Sequence, residues 1–180
     1  PVGADQVAHL ELTREIIRRF NNLYKGKLPE PKHLLTEVPL LPGLDGRKMS
    51  KSYGNTLFLT EDEKSLKKKV NSMLTDSRRA LRENPGVPED CTVFHFHKLY
   101  SSDEEIKWVI EGCTTAGIGC GDCKAKLCAN IEEKTKIPRE KKKELLNKPE
   151  LLDSIIAAGC EKARTEARKN ISIIKDWMKF

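Results

Sequence analysis

Beyond residue 60 the apolar residues recur at helical spacing almost to the end of the chain, and this pattern limits the fold more than any other feature. Thr60 with Glu63, and Ser102 with Glu105, have the spacing of capping boxes. Later helices are predicted to begin near Asp122, Pro138 and Pro149. We therefore predict that residues 61–180 form a mainly α-helical part, with these apolar residues facing its core: Leu66, Val70, Met73, Ile106, Val109, Ile110, Leu127, Ile131, Leu152, Ile155, Ile156, Ile171, Ile174 and Trp177.

The first 60 residues have a different pattern. A glycine turn leads into a helix for which Asp5 is the predicted N-cap residue. On that helix, the residues expected to face a core are Leu12, Ile16, Phe20 and Leu23. A proline-rich connection then precedes a strand-like segment at residues 38–41, as in the last crossover of a doubly wound parallel sheet. The sequence thus predicts a mainly α chain that begins with the end of an α/β nucleotide-binding domain.

Residues 46–55, which read GRKMSKSYGN and are called the lysine loop below, carry the most specific chemistry. Lysine ammonium groups are mobile charges with three donors each, suited to clustered phosphate oxygens. Serine hydroxyls and loop amides add donors, and flanking glycines allow the backbone to close on a ligand. A loop that carried only two lysines at this spacing could equally be a solvated basic turn. The complete sequence of residues 46–55 favours a phosphate-binding loop instead.

The KMSKS sequence of this loop resembles the second signature motif of class I aminoacyl-tRNA synthetases. Residues 3–6 read G-x-D-Q and precede a helix carrying H-x-E-L-T-R, a combination similar to that of tryptophanyl-tRNA synthetases. The resemblance implies that Lys48 and Lys51 stabilise the leaving pyrophosphate. It also implies that Gln6 approaches bound tryptophan. The residues implied in ATP binding are Gly3, Asp5, Met49, Ser50 and Ser52.

The resemblance also implies a fold and a function. Residues 1–60 would be the C-terminal part of a class I Rossmann catalytic domain, and residues 61–180 a helical anticodon-binding domain whose last helix can pack back on the catalytic part. The implied reaction activates tryptophan with ATP and Mg²⁺ and transfers it to tRNA(Trp), in a cytoplasmic homodimer. No HIGH-type motif occurs in the sequence, so we expect the chain to be inactive by itself. Two alternatives stay open: a noncatalytic metal-containing RNA-binding module, and a fragment of a tyrosyl-tRNA synthetase.

Charge agrees with a nucleic-acid partner without identifying one. The net charge is +6 and the isoelectric point is near 9.0, with basic runs that are also typical of solvated helix faces. No apolar run is long enough for a membrane span, so no membrane partner is expected. Lys124 and Lys126 are candidate tRNA phosphate contacts.

Six cysteines form the second strong signal. Cys120 and Cys123 make a C-x-x-C pair downstream of Cys113 and Cys91, and nearby glycines free the backbone to wrap a metal centre. Tetrahedral thiolate sets suit zinc or iron–sulfur clusters, and the spacing does not choose between them. Cys128 and Cys160 are interpreted as buried small hydrophobic side chains.

The family resemblance favours one of these metals. Some bacterial tryptophanyl-tRNA synthetases hold a [4Fe–4S] cluster in the anticodon-binding region with four cysteines at similar spacing. In this chain the interval between Cys91 and Cys113 is one residue shorter than in that pattern, and a one-residue change in a long loop costs little closure entropy. The resemblance therefore implies a [4Fe–4S] cluster, with Zn²⁺ as the alternative, held by Cys91, Cys113, Cys120 and Cys123.

Overall fold

A computed structural model of the chain describes residues 1–36, 38 and 40–180, and these residues are mainly α-helical. The α-helices of this part of the chain are α1 (Val7–Tyr24), α2 (Glu63–Ser72), α3 (Thr92–Tyr100), α4 (Asp103–Thr114), α5 (Cys120–Lys134), α6 (Lys136–Leu146) and α7 (Pro149–Met178). Short 3-10 turns at Ala4–Gln6, Lys51–Tyr53 and Pro88–Asp90 supplement them. None of the helices described is long and apolar enough to cross a bilayer.

The described chain divides into two compact units. One comprises Pro1–Leu40 and Glu144–Phe180, and the other comprises Leu41–Lys143. The sequence predicts a division at residue 60 between a catalytic part and an anticodon-binding part. That division stays a prediction.

The Leu41–Lys143 unit contains a buried apolar core. Helix α5 packs against both α2 and α3, so Leu66 and Val70 meet Leu127 and Ile131 in the interior. Leu66, Val70 and Leu127 are at most 1% exposed, as their helical spacing predicts. This core is the scaffold for the lysine loop and for the cysteines.

The other unit has no such core, because none of its described residues is buried. Leu12, Ile16 and Leu23 on α1 are exposed, and Phe20 is half-buried, so the prediction that this face meets a core is wrong within this chain. The same holds for the stripe on α7, where Ile155 and its neighbours stay open to solvent. The ring of Phe20 lies 6.3 Å from that of Trp177, and this is the aromatic contact between α1 and α7.

Several element boundaries differ from their prediction. Residues 38 and 41 lie in no strand, and Pro39 of the predicted strand is outside the described residues; the nearest β pairing is an isolated bridge between Pro42 and Lys48. Helix α2 begins two residues later than the Thr60 cap implies, because Asp62 is the N-cap residue and accepts from the Ser65 amide.

The capping box of Ser102 and Glu105 is confirmed at the start of α4. At the start of α1, by contrast, a 3-10 turn precedes the helix and Gln6 occupies the N-cap position. Asp5 therefore lies in that turn and is not the N-cap residue, and neither cap has a side-chain hydrogen bond.

Candidate nucleotide loop and cysteine site

The lysine loop leaves the core through a tight backbone turn. The amide of Gly43 donates to the carbonyl of Arg47 over 2.6 Å, and the bridge between Pro42 and Lys48 closes the base of the turn. Gly46 has φ of +78°, a left-handed conformation that glycine adopts without strain. A turn with these residues can be formed before any ligand is bound.

Asn55 holds the lysine loop together from inside. Its side chain is 4% exposed, accepts from the Ser50 amide over 2.8 Å, and donates to the Lys48 carbonyl over 3.1 Å and to Asp45 Oδ1 over 2.7 Å. A side chain on Gly43 would overlap the Asn55 amide, which explains a glycine there. The Asn55 amide and the Arg47 guanidinium together lower the pKa of Asp45 to about 2.

The candidate phosphate ligands of the loop point outward. Lys48, Lys51 and Ser52 are exposed, whereas Ser50 is half-buried with its Oγ 2.8 Å from that of Ser52. Met49 packs against the apolar core and anchors the loop there. The loop thus combines two exposed ammonium groups and two paired hydroxyls, which can bind an anion with several oxygens.

The predicted ribose and tryptophan residues lie together at the start of the chain. Gly3 is the residue before the 3-10 turn, and both Asp5 and Gln6 lie in that turn with their side chains exposed. Gln6 Nε2 donates to Asp5 Oδ2 over 3.0 Å, so the two polar groups are presented as a pair. Gly3, Asp5 and Gln6 therefore lie in or directly before one short turn, and their role in binding stays a prediction.

The four predicted cysteine ligands line one cavity. Cys91 is the residue before α3, Cys113 lies near the end of α4, and Cys120 and Cys123 occupy the first turn of α5. The cavity measures about 20 Å³, room for about one water molecule. Neither Cys128 nor Cys160 is among the residues that line the cavity. The prediction of burial is correct for Cys128 and wrong for Cys160, which is exposed on α7, a helix without buried residues.

The surroundings of Cys113 and Cys123 favour the neutral thiol. Burial raises the pKa of Cys123 to about 12, and it also raises the pKa of Cys113. Arg79 opposes this effect at Cys113, because its Nη1 lies 3.8 Å from the Cys113 Sγ. A cation that binds the thiolates would compete with these protons.

Arg79 fixes the rim of the cavity. Its Nη2 donates to the carbonyls of Ile118 and Arg82 over 2.8 and 3.0 Å, whereas its buried Nε has no hydrogen-bond partner among the described residues. A Cβ added to Gly86 would lie 2.8 Å from the Cys113 Sγ, so this glycine makes room beside the sulfur. An unpartnered donor on a residue that lines the cavity with the four cysteines fits an anionic group that their sulfurs would help to hold.

The thiols are not yet arranged around a single ion. The part of the chain that the structure describes contains no group of three or more His, Cys, Asp or Glu side chains placed to hold a metal ion. Zinc needs all its sulfur ligands at about 2.3 Å from one centre. A metal centre of either kind therefore requires the cysteine side chains to move from these positions.

The two lysines predicted to contact tRNA both have protein partners. Lys124 Nζ donates to the carbonyls of Asn71 and Met73 at the end of α2, over 2.7 and 2.8 Å. Lys126 forms an ion pair of 2.7 Å with Glu105, which lowers the pKa of that carboxyl group. Their role in tRNA binding stays a prediction.

Three residues that shape these sites were not predicted from the sequence: Asn55, Arg79 and Asp76. Asn55 is the last residue of the lysine loop, and this position is the sequence feature from which a structural role could have been predicted. Asp76 is 5% exposed and accepts from the Arg78 amide and the Val87 amide, over 3.0 and 2.7 Å. Its partner at Val87 is 11 residues away, and no local pattern indicates such a pairing.

Comparison with known proteins identifies the family. The profile described as tRNA synthetases class I (W and Y) matches residues 1–135. The tryptophan–tRNA ligase of Thermotoga maritima is 49% identical over 97% of this chain and 54% of its own length. That of Aquifex aeolicus is 44% identical over 99% of this chain and 45% of its own length. The chain thus spans about half the length of these curated relatives.

Solved structures agree with the sequence comparison. The tryptophanyl-tRNA synthetase of Campylobacter jejuni, crystallised with ADP and tryptophan, superposes with a TM-score of 0.75 at 35% identity. The match covers all of this chain and 56% of that one. This likeness and the helical content confirm the predicted fold class. The chain belongs to the class I tRNA synthetases of the tryptophan and tyrosine group.

Proposed function

We propose that this chain is part of a tryptophan–tRNA ligase. The observation that carries the proposal is the 49% identity to the Thermotoga maritima ligase over nearly the whole chain. The preformed lysine loop supports it, since the residues expected to meet phosphate are exposed there. The corresponding partners are ATP with Mg²⁺, tryptophan and tRNA(Trp), and a homodimer is the assembly implied by the resemblance.

The proposed reaction has two steps. The carboxylate of tryptophan attacks the α-phosphorus of ATP and pyrophosphate leaves; the terminal ribose hydroxyl of tRNA then attacks the adenylate. Enzymes catalyse such phosphoryl chemistry mainly by positioning and by stabilising charge. In this chain Lys48 and Lys51 would stabilise the leaving pyrophosphate, with Ser50 and Ser52 as further donors. Gly3 and Asp5 would bind the ribose of ATP, Met49 would contact ATP, and Gln6 would approach tryptophan.

Pyrophosphate exchange tests the proposal on the full polypeptide that carries this sequence. Exchange of labelled pyrophosphate into ATP that depends on tryptophan is the expected result. Exchange that depends on tyrosine would instead favour a tyrosyl enzyme. A protein that binds tRNA but shows no exchange with either amino acid would favour the noncatalytic RNA-binding module.

We further propose that Cys91, Cys113, Cys120 and Cys123 hold a [4Fe–4S] cluster. Their convergence on one cavity supports the proposal, as does the unpartnered Nε of Arg79. Four thiolates are the usual ligand set of such a cluster, which would here order the Cys113–Cys123 loop so that it meets the anticodon. Because the cavity has room for about one water, its side chains must move apart on binding. Lys124 and Lys126 would exchange their protein partners for tRNA phosphate beside it.

Metal analysis of protein purified without oxygen tests the cysteine site. About four irons and four sulfides per chain, lost in Cys120→Ser, would support the cluster. One zinc without sulfide would support the alternative metal. Protein that is folded and free of both metals would reject the site and leave the synthetase assignment intact.

A further inference from the structure

A buried histidine touches the cysteine site, and neither the family match nor the proposed reaction uses it. His97 on α3 is fully buried, at 0% exposure. Its Nε2 lies 3.3 Å from the carbonyl oxygen of Cys123 and 3.4 Å from the Sγ of the same residue. A buried polar ring in this place requires partners for both nitrogens.

The partners of the ring determine which nitrogen carries the proton. A carbonyl oxygen can only accept, so the Nε2 that faces Cys123 is a donor. Nδ1 of the neutral ring is then an acceptor. It lies 2.6 Å from the Ser101 Oγ, and the Ser101 hydroxyl donates the hydrogen bond to it. The ring therefore directs an N–H group at Cys123.

Two further residues fix the orientation of the Ser101 hydroxyl. Asn130 is 9% exposed, and its Nδ2 lies 2.9 Å from the Ser101 Oγ and 2.7 Å from Glu105 Oε2. A carboxylate only accepts, so the amide nitrogen must face Glu105, and Ser101 accepts from that same nitrogen. Glu105 is itself held by the Ser102 amide over 3.0 Å and by Lys126 over 2.7 Å.

We infer that His97 is a positioning residue of the cysteine site: its Nε2–H donates to Cys123, and the relay of Ser101, Asn130 and Glu105 keeps the ring in that tautomer. The inference rests on the proposed metal site. An N–H donor that lies 3.4 Å from a cysteine sulfur as well as 3.3 Å from the carbonyl oxygen of the same residue can donate to that sulfur and limits the rotation of its side chain. The relay also connects Cys123 to Lys126 at the surface of α5.

Nitrogen NMR of the imidazole tests the tautomer without any metal. Spectra of the ¹⁵N-labelled chain, with the His97 signals assigned by their loss in His97→Phe, should show a protonated Nε2 and an unprotonated Nδ1. Ser101→Ala keeps the ring but removes the donor to Nδ1, so a mixture of tautomers is expected. A proton fixed on Nδ1 in the unmodified chain would overturn the inference.

Metal retention tests the effect on the site. The chain and its variants are loaded with ferrous iron and sulfide, and the iron kept against a chelator is measured together with the visible spectrum. His97→Phe should retain iron at least about tenfold more weakly, the usual effect of removing a group that hydrogen-bonds a metal ligand. His97→Gln, whose amide can donate from near the Nε2 position, should recover most of that loss. His95→Phe is the matched control, because His95 is also on α3 but, among the described residues, its ring makes no hydrogen bond to a cysteine, whereas the ring of His97 contacts Cys123.

The outcomes separate this inference from the proposal on which it rests. If the unmodified chain takes up iron and His97→Phe retains iron equally well, the inference is overturned and the proposed metal site is not. Equal losses in His97→Phe and His97→Gln would also overturn it, because the ring would then act only by filling space. An unmodified chain that takes up neither iron nor zinc would overturn the metal site and, with it, this role of His97. Circular dichroism confirms that each variant is folded.

Discussion

The conformation of the lysine loop depends on Asn55. Its side-chain amide forms hydrogen bonds with the backbone of Lys48 and Ser50 and with the Asp45 carboxylate. Its backbone carbonyl accepts from the Leu44 amide over 2.9 Å. These contacts are local to residues 43–55, so the loop can keep its shape before a nucleotide arrives. Preorganised donors cost less to align in the transition state.

Asn55→Ala should destabilise the folded chain by about 1–3 kcal/mol, because it leaves the buried partners of the amide unpaired. Urea unfolding of the chain and of the variant measures the difference in free energy of unfolding. Ser52→Ala is the control, since Ser52 is exposed and its change should fall within about 0.5 kcal/mol. Equal stability of the chain and Asn55→Ala would show that the loop does not depend on this amide.

Lys51→Ala should lower the rate of adenylate formation by on the order of 10²-fold, the usual effect of removing one group that stabilises a transition-state charge. Pyrophosphate exchange at steady state and single-turnover kinetics of adenylate formation, both on the full polypeptide, measure this rate. Binding of tRNA, followed by filter retention, should change much less and serves as the control. An unchanged exchange rate would reject the role of Lys51.

At the scale of elements, the connection between α2 and α3 carries one side of the cysteine cavity, and Asp76 holds it in place. Its carboxylate accepts from the amides of Arg78 and Val87 and from the Arg78 guanidinium, over 2.8 Å. These hydrogen bonds lower the pKa of Asp76 to about 2, and the bond from the Arg78 side chain has the largest effect, ahead of that from the Val87 amide. Because the folded pKa lies below the unfolded one, the ionised group stabilises the fold above about pH 4 and loses this effect as the pH falls through about 2.

Asp76→Asn should therefore cost about 2 kcal/mol near neutral pH, and the difference from the unmodified chain should shrink as the pH is lowered from about 4 towards 2. Thermal unfolding followed over this pH range checks both statements. Asp90→Asn is the matched control: Asp90 also pairs with Arg78, but its side chain is 60% exposed, so its loss should cost less than about 1 kcal/mol. A difference that persists at the lowest pH would contradict this account.

The elements of the Leu41–Lys143 unit show which features the sequence can predict. The capping box at Ser102 depends on residues three positions apart, and it was predicted correctly. Asp62, by contrast, competes with Thr60 as a cap within one short polar run, and the wrong residue was chosen. The convergence of the cysteines followed from a family resemblance. The contact of His97 with Cys123 spans 26 residues, and a pattern within one helix contains no information about such a partner.

At the scale of the whole molecule, burial is unequal between the two units. The described core residues all belong to Leu41–Lys143, whereas the 30-residue helix α7 has no buried residue. Isolated helices are marginal in water, and tertiary packing supplies most of their stability in proteins. Local stability in this chain should therefore differ between α7 and α5.

Hydrogen exchange on the 180-residue chain should show this difference directly. Amides in the middle of α5 should exchange with a free energy near that of global unfolding, and those in the middle of α7 at least about tenfold faster. Trp177→Ala removes the ring contact with Phe20 and should speed exchange further in the last turns of α7. Ile155→Ala is the control, because Ile155 is 51% exposed and its loss should leave those turns unchanged. Equal protection of α5 and α7 would mean that α7 is stabilised without burial, against the argument from packing.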